Sequence, residues 1–322
     1  MTRVSSLKLA LIAGCLAAAP AFARNDTPSS QATAAQPDGG DAAIGCTLPL
    51  GWDEVAQRKP EAVIFGRPGG TAQPPAFVAD IACALAREGK HVLLGLELPH
   101  SEDETLQAAW GMPHASFSTA LRFGLFDKAR SVSNSQALFD AMVSLHALKE
   151  EGLAISVTAI AADGNDMQRL MRAGVSGTNW MAAGMAEHIT TALDEKQPDI
   201  ALVLTPPIFA MRSRPQEPTF GSGSMIAHLG KNHSVVSLQA FYPAGDAWYC
   251  RPKPGIKPQA DGSIANDAIE CGAYARAAHM SGELSAEPPY IAMSSTGGIP
   301  GTGEDGLFQL GAITASPPVG DF

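Results

Sequence analysis

The chain has 322 residues, 45% of them hydrophobic and 17% charged, and a formal net charge of −10. This is ample material for a core in one large domain or two small ones. The acidic surplus excludes nucleic acid and anionic membrane surfaces as natural partners.

Residues 1–23 read as an export signal. Arg3 and Lys8 form a positive n-region, Leu9–Ala19 is apolar but too short to span a bilayer, and Ala21-Phe22-Ala23 is an A-x-A cleavage site. The mature chain is then periplasmic or secreted, with no transmembrane segment left. A rival reading takes Ile12-Ala13-Gly14-Cys15 as a lipoprotein box with Cys15 lipidated. Residues 24–43 are rich in Ser, Ala, Gln, Pro, Gly and Asp without an aromatic residue, the composition of a disordered leader.

Residues 44–242 read as an α/β core. Ala62–Phe65 is an apolar run closed by Gly66. Ala76–Glu88 carries Phe77, Val78, Ile81 and Leu85 at helical spacing, with Gly89 at the C-cap. Val92–Leu96 is a second apolar run, ending on Glu97. Together these make one βαβ unit with strands buried on both faces. Ser101 and Glu104 fit a capping box for the next helix. A helix over Gln136–Lys149 follows, then a strand over Ala154–Ile160, a helix over Trp180–Leu193, and strands over Asp199–Thr205 and Ser234–Phe241. The alternation predicts a three-layer α/β fold, a mostly parallel sheet with helices on both faces. Residues 243–322, rich in Pro and Gly, predict an irregular cap that completes the domain.

Export gives the cysteines their meaning. Cys250 and Cys271 bracket a Pro/Gly-rich loop and are expected to bond, with Cα atoms about 4.4–6.8 Å apart. Closing such a loop stabilises by roughly 3 kcal/mol. Cys83 either pairs with Cys46 or is a buried thiol. No C-x-x-C pair and no H-x-H or H-E-x-x-H spacing occurs, so no metal site is expected.

Ligands in parallel sheets bind past the carboxyl ends of strands. The loop Gly66-Arg67-Pro68-Gly69-Gly70-Thr71 and Glu97 fall there. The loop lacks the lysine of a P-loop. It is either a tight turn or, through a helix N-terminus and Arg67, an anion cradle. The run Gly297–Gly303 reads as a flexible loop, and Gly221-Ser222-Gly223-Ser224 as a turn rather than a nucleophile elbow. Glu97 and His100 form the one carboxylate–imidazole pair at a strand end, a weak candidate for proton transfer. His146 and His188 lie within helices, where a hydrogen-bonded structural role is the default.

The segments LGLELP (94–99), ALVLTPPIFAMR (201–212) and DGLFQLGAITASPP (305–318), together with the glycine loop, resemble the ChaN-like and erythromycin-esterase-like group, which includes haem-uptake and Tiki proteins. The resemblance spans most of residues 61–318. It implies two G-x-x-H motifs past strands and a glutamate after the second strand, holding a metal, assisting hydrolysis or, in some members, binding haem. Here the first motif reads Gly66-Arg67-Pro68-Gly69 and the second Pro206-Pro207-Ile208-Phe209, so Gly69 and Phe209 stand where the histidines belong. Of the family's residues only Glu97 remains. The resemblance therefore implies the fold without the usual chemistry: a ligand-binding or scaffold protein, with Arg67, Gly69, Gly70, Thr71, Glu97 and Phe209 around a small-molecule ligand, haem among the options. The alternative is a periplasmic hydrolase rebuilt on Glu97, His100 and Arg67. No cofactor follows from the residues themselves.

Overall fold

The computed structural model describes residues 45–127, 134–175, 179–212, 224–257, 264–277, 289–295, 298–299 and 303–320. The export signal, the leader, Cys15, Ser222 and most of the Gly297–Gly303 run lie outside them.

The chain runs α1 (Trp52–Gln57), β1 (Ala62–Gly66), α2 (Gln73–Arg87), β2 (Val92–Pro99), α3 (Asp103–Trp110), α4 (His114–Leu121), α5 (Gln136–Glu150), β3 (Ile155–Ala161), α6 (Gly164–Arg172) and α7 (Asn179–Lys196). It continues through β4 (Ile200–Thr205), α8 (Pro207–Ala210), α9 (Met225–Leu229), β5 (Val235–Phe241), β6 (Ala244–Pro252), β7 (Ile269–Ala277), β8 (Tyr290–Met293) and β9 (Gly306–Gln309). Seven strands form one sheet in the order β3-β2-β4-β1-β5-β9-β8. All neighbours pair parallel except β8 with β9.

Strand alternation sends Val63 and Phe65 to one face of β1 and Ala62 and Ile64 to the other. Each set belongs to a separate core cluster. The first also takes in Phe77, Ile81 and Leu85 of α2 and Leu138, Met142 and Leu145 of α5. The second takes in Met185, Ile189 and Leu193 of α7 and Met225, Ile226 and Leu229 of α9. Helices therefore cover both faces, as a parallel sheet requires, and the three-layer α/β architecture holds.

Three expectations change. First, the two strands of the first βαβ unit do not pair with each other: β4 lies between β1 and β2, pairing Thr205 with Gly66 on one side and Val203 with Gly95 on the other. Second, no capping box forms at Ser101. His100–Glu102 is a single 3-10 turn, Glu102 precedes α3 without a side-chain cap, and the Ser101 N–H donates to Asp163. The capping box sits instead at α6, where Asp163 and Asp166 cap each other's N–H groups. Asp at both positions does the same work as Ser and Glu in the usual box. Third, the C-terminal part is more regular than an irregular cap: β9 and β8 extend the main sheet, and β6 and β7 make an antiparallel ribbon.

Both disulfides form. Cys46 bonds Cys83, tying the segment before α1 to the buried face of α2. Cys250 and Cys271 sit directly opposite each other on the ribbon, and their Cα atoms are 4.0 Å apart. This lies just under the expected window and far from a separation that would rule the bond out.

Candidate functional site at the carboxyl edge of the sheet

Gly66 ends β1 without a side chain for a steric reason. A Cβ there would stand 2.6 Å from Ala210 Cβ and 2.7 Å from Gln239 Oε1. The gap lets the single turn of α8 close over the strand end. Pro206 and Pro207 open that turn, and Phe209 on it is half-buried against the second core cluster. Phe209 is thus held as a packing residue at the rim.

Past Gly66 the backbone N–H of Arg67 donates to Thr205 O at 2.9 Å, carrying the β1–β4 ladder one step further. The Arg67 side chain is 1% exposed, and its Nη2 lies 3.7 Å from Glu97 Oε2. Among the described residues Nε and Nη2 have no hydrogen-bond partner, and neither does the fully buried Oγ1 of Thr205. Burial pushes the guanidinium down from its ordinary range, and the Glu97 carboxylate opposes that. Glu97 is 19% exposed, so the pair reaches solvent on the carboxylate side. Arg67 and Glu97 therefore form a polar pair that joins the ends of β1 and β2, and Thr205 ends β4, the strand between them.

The remainder of the glycine loop has other work. Gly70 adopts φ +66°, and a Cβ there would meet Trp248 O at 2.0 Å. Gly70 O accepts from the Trp248 and Ser316 N–H groups. Thr71 Oγ1 donates to Pro68 O at 2.9 Å, closing a local turn. Pro74 and Pro75 follow Gln73 as the second and third residues of α2 and carry no N–H. The helix N-terminus is thus a poor anion cradle, and any anion recognition falls to Arg67. Gly69 is half-buried beside this turn and brings no side chain.

His100 joins a second constellation. Its Nδ1 is 2.9 Å from Ala159 O, so that nitrogen carries the proton and donates. Its ring stacks on His188 with centroids 3.6 Å apart and planes at 16°. His188 Nε2 is 2.9 Å from Asp166 Oδ2. Burial pushes Asp166 up, but hydrogen bonds from His188, the Asp163 N–H and Arg169 outweigh it and hold the carboxyl below its ordinary range. Gly184 explains the closeness: a Cβ there would stand 2.7 Å from Ala162 Cβ, so α7 can press against the end of β3. Sequence reasoning missed Asp166, Thr205 and the role of His188. The available signals were the D-x-x-D cap at Asp163 and the i, i+4 spacing of Gly184 and His188. Among the described residues no group of three or more His, Cys, Asp or Glu side chains is arranged to hold a metal, and no helix is long and apolar enough to cross a membrane.

No family model matches the chain, and no curated protein matches it in sequence. Solved structures do. An erythromycin esterase mutant in its open conformation is similar over 86% of this chain and 97% of its own, at 9% identity and a TM-score of 0.55. A Bacillus cereus protein is similar over 87% and 96%, at 11% identity and TM-score 0.48. ChaN of Campylobacter jejuni, with cofacially bound haem, is similar over 59% and 85%, at 12% identity and TM-score 0.38. The chain has an erythromycin-esterase-like fold.

Proposed function

We propose that this protein is an exported, non-catalytic binder of a small molecule at the carboxyl edge of its sheet. The carrying observation is the side-chain inventory at that edge. Where the resemblance calls for two histidines, the chain has Gly69 and the packed Phe209, and the charged groups in place are a sealed arginine and its glutamate partner. Neither Gly nor Phe moves a proton or holds a metal through its side chain. Arg67 is a donor that stays charged and serves recognition rather than proton transfer.

The alternative hydrolase needs His100 beside Glu97 and Arg67. Against it stands the tie of His100 Nδ1 to Ala159 O and the stacking of its ring on His188. Export is supported by the signal pattern of residues 1–23 and by two disulfides. A scaffold role would leave the polar cluster without a task.

The test is turnover. The purified mature chain is assayed against aryl esters and macrolide lactones, with Glu97→Gln and His100→Ala beside it. No turnover is expected from any of the three. Hydrolysis lost in Glu97→Gln would overturn the proposal. Titration with hemin, followed at the Soret band, decides whether haem is the ligand; a band that persists in every crevice variant would place haem elsewhere.

A further inference from the structure

Resting on the binding reading above, we infer that the ligand is a small carboxylate carrying a hydrogen-bond donor next to its acid group, and that Arg67, Thr205 and Glu97 read those two features.

A guanidinium is seldom buried without acceptors, because its five N–H groups lose water. Arg67 is 1% exposed, and two of its nitrogens have no hydrogen-bond partner. Glu97 supplies charge at 3.7 Å, which is outside hydrogen-bonding range. The electrostatic demand of Arg67 is thus partly met and its directional demand is not. A planar carboxylate offers two acceptors in the geometry of the guanidinium fork.

Charge balance narrows the ligand further. Arg67 and Glu97 together are neutral, so a bare anion would feel Glu97 as a repulsive neighbour. A hydroxyl or ammonium beside the carboxylate turns that repulsion into a hydrogen bond to Glu97. Thr205 lies between the two strands that carry the charges, in register with Gly66. Its fully buried Oγ1 has no partner and can both donate and accept. Glu97, the most exposed member of the cluster, marks the side of entry. Hydroxy acids and amino acids share this chemistry; a ligand of either kind would span from Arg67 to Glu97.

The experiment is calorimetric titration of the mature chain with three probes: glycerate, which has both features; propionate, which lacks the donor; and glycerol, which lacks the acid. Glycine carries an ammonium instead of a hydroxyl beside its carboxylate and separates the two sources. Glycerate or glycine is expected to bind, propionate about tenfold more weakly, and glycerol not at all. Arg67→Met, which keeps volume and removes the donors, should abolish binding. Thr205→Val should weaken it by about tenfold, the loss of one hydrogen bond in a charged site. If Arg67→Met does not fold, the near-isosteric Thr205→Val carries the test. Failure of both glycerate and glycine to bind, or equal binding to the variants, overturns the inference. That failure is separate from failure of the binding reading, which falls only if the chain turns over esters.

Discussion

Arg67 Nη2 lies 3.7 Å from Glu97 Oε2 although their strands do not touch. Two strand spacings, about 9–10 Å, separate β1 from β2, and the long arginine side chain closes the distance. The contact exists because β4 stops at Thr205 and turns away at Pro206.

That geometry makes the two partners unequal. Removing Glu97 leaves a buried guanidinium without its counter-charge, and Glu97→Ala is expected to destabilise by about 3 kcal/mol. Arg67→Met replaces a poorly satisfied cation with apolar volume and is expected to be neutral or stabilising by about 1 kcal/mol. Urea midpoints of both variants and of the double mutant check this. Strictly additive effects would mean that the residues do not interact.

The disulfides should separate into a global and a local staple. Cys46–Cys83 spans 37 residues and joins the main core at α2, so Cys46→Ser with Cys83→Ser should lower global stability by about 4 kcal/mol. Cys250–Cys271 spans 21 residues within a two-stranded ribbon. Such a ribbon is marginal alone, so opening its bond should fray β6 and β7 while the main transition moves little. Hydrogen exchange after selective replacement reads the difference. Equal loss of protection in β1 and β6 in both variants would show that the ribbon and the sheet unfold as one unit.

Much of this fold was legible because strands buried on both faces and helices with apolar stripes announce themselves locally. Val63 and Phe65, read from an apolar run, and Phe77, Ile81 and Leu85, read from helical spacing, all lie in the core. Strand order was not legible. A parallel strand such as Ile200–Leu204 is apolar on both faces and carries no mark of which neighbours it will take. The ribbon was hidden for a different reason: Pro252 and the glycines of its strands read as loop. At the site, Arg67 and Glu97 were named from sequence. Thr205 was overlooked because a threonine closing an apolar strand has no chemical signature until its surroundings are known. The His188–Asp166 contact joins residues 22 positions apart on two helices, beyond the reach of any local pattern.

His146 gives the chain a pH response. It is fully buried, its Nε2 is 3.1 Å from Trp110 O, and its ring stacks on Phe117. Burial pushes its imidazole down, with the Trp110 hydrogen bond opposing. A folded pKa below the unfolded value means that the unfolded chain takes up the proton first. Stability from this group is therefore full above the ordinary histidine value of about 6.5 and is lost as pH falls below it. His146→Gln should flatten the fall in urea midpoint between about pH 6.5 and 5. An unchanged slope would assign the acid sensitivity to other groups.

Gly184 and Gly164 make a paired test of how α7 is seated. Gly184 lies within α7 with its missing Cβ 2.7 Å from Ala162 Cβ and 3.5 Å from Asp166 Cβ, whereas a Cβ at Gly164 would meet nothing within 4 Å. Helix propensity alone favours alanine at both places by up to about 1 kcal/mol. At Gly164 nothing opposes it, so Gly164→Ala should be neutral or slightly stabilising. At Gly184 the new methyl must push α7 off the end of β3, and overpacking of this kind costs about 1–3 kcal/mol. The displacement also moves His188, one turn further along the same helix, away from Asp166 and out from under His100. Gly184→Ala should therefore lower the thermal midpoint and remove the slowly exchanging imidazole N–H signal of the His188–Asp166 hydrogen bond, while Gly164→Ala preserves both. Retention of that signal in Gly184→Ala would show that close helix seating does not hold the imidazole pair in place.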